Sequence, residues 1–145
     1  MRAILAKNLL KISRQKGIKF IIGKDFNLAK NIGADGCHYS DNMPIDHRAL
    51  RQNNKKNGFI LSYSCHSLKS VFFVKKIKAD IVFISPIFDT TTHPDSKSLG
   101  KIGYLKAKFH FPQIMPLGGV DHKNITFFKK IGALGFGAID YFNNL

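Results

Sequence analysis

Two patterns alternate along the chain. Short apolar runs at 19–23 (KFIIG), 36–40 (GCHYS), 59–64 (FILSYS), 80–85 (DIVFIS), 113–119 (QIMPLGG) and 135–142 (GFGAIDYF) predict six buried strands. Between most of them, apolar residues recur at helical spacing: Ile4, Leu5, Leu9 and Ile12, then Leu68, Val71 and Phe72, then Ile125, Phe128 and Ile131. Such stripes predict helices that lay these side chains against a sheet. Strands alternating with helices imply parallel pairing through right-handed crossovers.

A faint repeat marks the joints. IGADG at 32–36, IKADI at 77–81 and IGALG at 131–135 each close a helix and open a strand. The small residues Ala34, Ala79 and Ala133 are expected to let each helix end lie close to the sheet. Repeated βα units fit either an open doubly wound sheet or a closed (β/α)8 barrel. The GxGxxG turn of a dinucleotide fold is absent from the early part of the chain, which favours the barrel. In a barrel, function sits on the loops that follow the strands. The loop after DIVFIS, SPIFDTTTHPDSKSLG at 85–100, is longer and more polar than a connector requires.

Composition narrows the partners only slightly. A chain of 145 residues bounds one domain with a real core, read here as a single unit over 1–145. Its formal charge of +14 attracts anions in general, whether phosphorylated metabolite, nucleic acid or acidic surface. The lysines are scattered along helices, the pattern of solvated faces, so nucleic acid is not the favoured partner. No apolar run approaches the roughly 20 residues that span a bilayer. The N-terminus lacks a secretory signal, so no membrane partner and a cytoplasmic location are expected. Cys37 and Cys65 form no CxxC pair and suggest no disulfide framework.

Several strand ends carry candidate chemistry. Gly118 and Gly119 precede a helix expected to open near Asp121 or Asn124, and glycine backbone can approach an anion closely. A tight turn alone explains the pair equally well. Thr90, Thr91 and Thr92 offer hydroxyls to phosphate oxygens, or cap their own backbone. His66 could move a proton near neutral pH, or serve as a satisfied structural group. Cys65 and His66 are neighbours on one strand and point to opposite faces, which argues against a shared zinc.

In order, the motifs GADGCH (33–38), SCHS (64–67), SPIFDTTTH (85–93) with LG (99–100), LGGV (117–120) and GFGAID (135–140) resemble the thiamine phosphate synthase and thiazole tautomerase family. That family shows GADGVH, SxHS, GPxFPTxTK, a downstream LG, GG(I/V), and a last strand ending in a small polar residue. The resemblance covers essentially the whole chain, and the threonine loop is its most specific part. It implies a (β/α)8 barrel in which thiazole phosphate displaces pyrophosphate from a pyrimidine pyrophosphate with Mg2+. By position, Thr90 and Thr92 match threonines at the thiazole phosphate or the departing pyrophosphate. Gly118 and Gly119 match the glycines that bind the thiazole phosphate, Ser64 matches a serine on the pyrimidine side, and His93 stands where the family has lysine.

The departures are equally specific. The family's early QLR.K strand has no counterpart, so the expected architecture is a barrel lacking its first two strands, with open edges that a homo-oligomer could cover. Lys24 and Met43 replace residues that would hold magnesium, leaving Asp25 and Asp41 as weak substitutes. Asp140 places an anion at the end of the last strand. Three readings follow: a divergent thiamine phosphate synthase, a thiazole tautomerase-like isomerase using His66, and a non-catalytic remnant that binds a phosphorylated ligand or nucleic acid.

Overall fold

β2 and β4 begin a few residues after a helix closes and hands the chain into the sheet, and the computed structural model shows how. It describes residues 1–41, 44–54, 58–90 and 97–138, with backbone alone for 51–54. Two compact units are distinguished, Met1–Tyr63 with Lys78–Asp80, and Ser64–Ile77 with Ile81–Leu145.

The first unit runs α1 (Arg2–Gln15), β1 (Ile21–Gly23), α2 (Phe26–Ile32), β2 (Gly36–Ser40), α3 (His47–Asn54) and the opening residues of β3 (Ile60–Cys65). Its strands lie in chain order. β1 and β2 are parallel, with Ile21 opposite Gly36 and Gly23 opposite His38. Asp25 caps α2, its carboxylate accepting the Leu28 N–H at 2.9 Å. Gly33 ends the helix in the left-handed conformation, and the Ala34 N–H reaches back to the Ala29 carbonyl.

The repeat has a physical basis in its aspartates. Asp35 Oδ2 accepts the Phe20 N–H at 2.9 Å, and Asp80 Oδ2 accepts the Leu61 N–H at 2.8 Å. In return, the Asp35 N–H donates to the Phe20 carbonyl and the Asp80 N–H to the Leu61 carbonyl. Each aspartate thus clamps the start of the neighbouring strand and sets its register. The third copy has Leu134 instead, 73% exposed. Removing such an acceptor strands a partly buried N–H, so Asp80→Ala should cost about 1–3 kcal/mol, measured by urea unfolding. Burial of Asp35 opposes its ionisation, but the Phe20 N–H and the Lys19 ammonium outweigh it and hold the carboxyl below its ordinary value.

The apolar stripe of α1 faces the other way from the expectation. Ala6, Leu10 and Ser13 are buried, whereas Ile4, Leu5, Leu9 and Ile12 are exposed. Both sets obey helical spacing, and the helix packs through its smaller residues. The remaining stripes follow more closely: Val71, Ile125 and Phe128 are buried, and Phe72 is exposed.

The second unit continues with the end of β3, α4 (Leu68–Ile77), β4 (Ile81–Ile84), α5 (Gly100–His110), β5 (Met115–Pro116) and α6 (Ile125–Lys130). β4 and β5 are parallel, with Phe83 opposite Met115. The sixth expected strand is represented by one parallel bridge, Leu117 to Gly137, and residues 139–142 lie outside the described residues. The core of this unit is aromatic. Tyr104 and Phe128 pack edge to face at 5.2 Å between ring centres, and the Tyr104 hydroxyl donates to the Ile114 carbonyl at 3.0 Å. Phe88, from the long loop, meets Phe128 at 6.0 Å. No helix among the described residues is long and apolar enough to cross a membrane.

Candidate functional site

At the carboxyl ends of β4 and β5, two loops are zipped together through their backbones. The Ile87 N–H donates to the Leu117 carbonyl at 3.0 Å, and the Phe88 N–H donates to the Gly118 carbonyl at 3.1 Å. The other side of the same loop receives Leu99 N–H on the Pro86 carbonyl and Gly100 N–H on the Ile87 carbonyl, at 2.9 and 2.8 Å. The Ser85–Pro86 peptide is cis. Residues 85–88 are thereby held between the LG and LGG motifs, although the three segments are far apart in sequence.

The glycine pair is a steric requirement of this contact. Gly118 and Gly119 both have positive φ, 86° and 66°. A β-carbon on Gly119 would lie 2.7 Å from Phe88 Cβ and 3.0 Å from the Asp89 carbonyl oxygen. One on Gly118 would lie 3.0 Å from Pro86 Cα and 3.4 Å from the Thr90 methyl. So the threonine and glycine motifs, paired in the sequence only by inference, are brought together at Thr90 and Gly118. Beyond them, Asp121 Oδ1 accepts the N–H groups of Lys123 and Asn124, and Asn124 Nδ2 donates to the Gly119 carbonyl at 2.8 Å. This polar turn fixes the glycines from the far side.

His66 stands just past β3 and is exposed. Its Nδ1 lies 3.0 Å from the Ser85 carbonyl oxygen and 3.2 Å from the Ser85 hydroxyl. Ser64 is buried at the end of the same strand. Thr91, Thr92, His93 and Asp140 lie outside the described residues. Ser85 is a site residue that the sequence reading passed over, although it stands where the family pattern has glycine.

The strand ends of the first unit carry different groups. His38 Nδ1 and the Ser62 hydroxyl are 2.9 Å apart, and the Lys24 N–H donates to the His38 carbonyl at 3.0 Å. Burial pushes the Cys37 thiol up to about 11, so it stays a protonated, unreactive thiol near neutrality. Asp25, offered as a metal ligand, has one carboxylate oxygen on the α2 cap and the other on Arg2 at 3.2 Å. Asp41 lies just past β2. Among the described residues, no group of three or more metal-binding side chains gathers in one place. Both Asp25 carboxylate oxygens are thus engaged by protein donors, and the neighbouring Lys24 side chain offers no oxygen ligand.

Residues 2–141 match the family described as thiamine monophosphate synthase. The chain belongs to that family. Among curated relatives, it is 30% identical over 140 residues to a putative thiamine-phosphate synthase 2 of Aquifex aeolicus, covering 95% of this chain and 73% of the relative. It is 32% identical over 139 residues to the thiamine-phosphate synthase of Clostridioides difficile, covering 92% of this chain and 63% of the relative. The Bacillus anthracis enzyme of the same name is 28% identical over 144 residues, with 95% and 63% covered. A solved thiamine phosphate pyrophosphorylase from Pyrococcus furiosus superposes with a TM-score of 0.75 at 23% identity, covering 95% of this chain and 65% of that one. The fold is therefore of the expected barrel type, with fewer strands than a full barrel. The chain spans a little under two thirds of the length of most of these relatives.

Proposed function

We propose that the β4 and β5 loops bind the phosphate of a phosphorylated thiazole, and that the chain acts as a thiamine phosphate synthase-like transferase. The reaction joins thiazole phosphate to a pyrimidine pyrophosphate and releases pyrophosphate. The observation that carries this reading is the backbone zipper that sets Thr90 beside Gly118, with both glycine carbonyls taken by protein donors. In this reading the glycines' peptide N–H groups and the Thr90 hydroxyl are the donors to that anion. Family membership and the names of the relatives supply the substrate class, small phosphorylated metabolites. A soluble, cytoplasmic protein belongs to the same proposal.

In this reading the phosphate is held by hydroxyl and backbone donors of the two loops. Thiazole phosphate should therefore bind equally well in EDTA. Thr90→Val should weaken it by roughly 10- to 100-fold, the loss of one hydrogen bond to a charged group, while Thr90→Ser should retain it. Isothermal titration measures both, and unchanged binding by Thr90→Val would remove the threonine from the site.

A second reading is favoured by one observation. His66 has its Nδ1 fixed against Ser85, as a group that moves protons requires. In a tautomerase-like isomerisation His66 would carry the proton, and His66→Gln would abolish the transfer while leaving phosphate binding intact.

A further inference from the structure

The outer face of α4 and α5 combines apolar side chains with cations. Ile102, Leu105 and Phe109 recur at i, i+3 and i+7 on the side of α5 opposite the buried Tyr104 and Ala107, and they are 70%, 43% and 83% exposed. Core packing leaves them in water. On α4, Phe72 is 50% exposed. Its ring lies 4.9 Å from the His110 imidazole, which in turn meets the Phe109 ring at 5.3 Å, so the two helices present one run of apolar surface. Lys69, Lys75 and Lys76 on α4 and Lys106 on α5 are exposed around it, and neither helix contains an aspartate or a glutamate.

We propose that this face rests on an anionic lipid bilayer, with Phe72, Ile102, Leu105 and Phe109 entering the headgroup boundary and the surrounding lysines meeting acidic headgroups. Amphipathic helices that lie in the interface plane join these two features. Lysine stems follow the apolar layer while their ammonium groups stay in water beside the lipid anions. Charge disfavours a second copy seated on the same face, because it would set lysine-bearing helices against each other. A partner helix would need a groove, and the seam between α4 and α5 is occupied by the Phe72 and His110 rings. A fluid, planar anionic surface accepts projecting side chains without one. The expectation of no membrane partner came from spanning runs and a secretory signal, and a face that lies on a bilayer uses neither. The inference is independent of the phosphate site at the strand ends.

The test is co-sedimentation of the purified full chain with vesicles of phosphatidylcholine alone, and with vesicles containing about 30% phosphatidylserine, at about 0.15 M salt. Binding is expected to the anionic vesicles only. Ile102→Ser combined with Phe109→Ser removes the two most exposed apolar side chains of the face and keeps every charge, so it should weaken that binding roughly tenfold or more. Both positions face water, so the variant should keep its thermal midpoint, and binding is compared below it. No binding of the unmodified chain to anionic vesicles would overturn the proposal. Equal binding by the double variant would overturn it too, reducing the effect to diffuse attraction of a chain of charge +14. Sedimentation equilibrium supplies the last arm: self-association that vanishes in the double variant, with vesicles left unbound, would assign the face to a second copy and overturn the bilayer.

Discussion

Gly119→Ala is expected to abolish binding of thiazole phosphate and to destabilise the second unit by about 2–4 kcal/mol. Two effects add. An alanine at φ 66° meets the ordinary cost of a left-handed backbone, about 1–2 kcal/mol. Its methyl would also stand 2.7 Å from Phe88 Cβ, inside contact distance, and 3.0 Å from the Asp89 carbonyl oxygen. Neither neighbour is the free end of a flexible side chain, so the 85–90 loop must move away from the glycines. The displacement separates Thr90 from Gly118, the two groups that would share the anion. Urea unfolding reads the stability, and isothermal titration reads the binding. Native stability in Gly119→Ala would show that the loop is free to yield.

Phe128→Ala should be the most damaging core change, at about 3–5 kcal/mol. The ring is 1% exposed and touches three other aromatic rings, Phe88, Tyr104 and Phe127. Deleting it leaves a cavity that the edge-to-face neighbours cannot close without losing their own geometry. A domain of this size is stabilised by only about 5–15 kcal/mol in total, so the variant should melt far below the unmodified chain. Its importance for function comes through Phe88, which sits on the loop that carries Thr90. In the fraction that stays folded at low temperature, affinity for thiazole phosphate should fall as well. Phe128→Leu, which refills most of the volume, should recover the larger part of both.

Much of this was legible in the sequence because it is written in local pattern. β2 falls on the predicted run at 36–40, and β1, β3 and β4 lie within one or two residues of theirs. The motif order identified the family and the barrel-type fold. What failed was choice between equivalent faces. In α1, two sets of residues share helical spacing, and the smaller set, Ala6, Leu10 and Ser13, is the buried one. Hydrophobicity alone points to Ile4, Leu5, Leu9 and Ile12, but close approach of a helix to its neighbours favours small side chains. The repeat was noticed through its alanines, whereas Asp35 and Asp80 make the bonds, a distinction that needs the partner strand's N–H groups to be seen. Ser85 escaped notice because a serine before proline reads as a turn residue. Its role depends on His66, 19 positions earlier in the chain.

The central claim is that the threonine and glycine loops form one phosphate site. Its most direct measurement is the thermal midpoint of the purified chain titrated with thiazole phosphate, in EDTA, beside Gly119→Ala. A ligand that binds only the folded state stabilises it by about 2.7 kcal/mol at 100 times its Kd. The midpoint of the unmodified chain should therefore climb steadily with concentration, and that of Gly119→Ala should stay flat. A midpoint in the unmodified chain that does not move at any concentration would contradict the site, and parallel rises in both proteins would place the phosphate elsewhere.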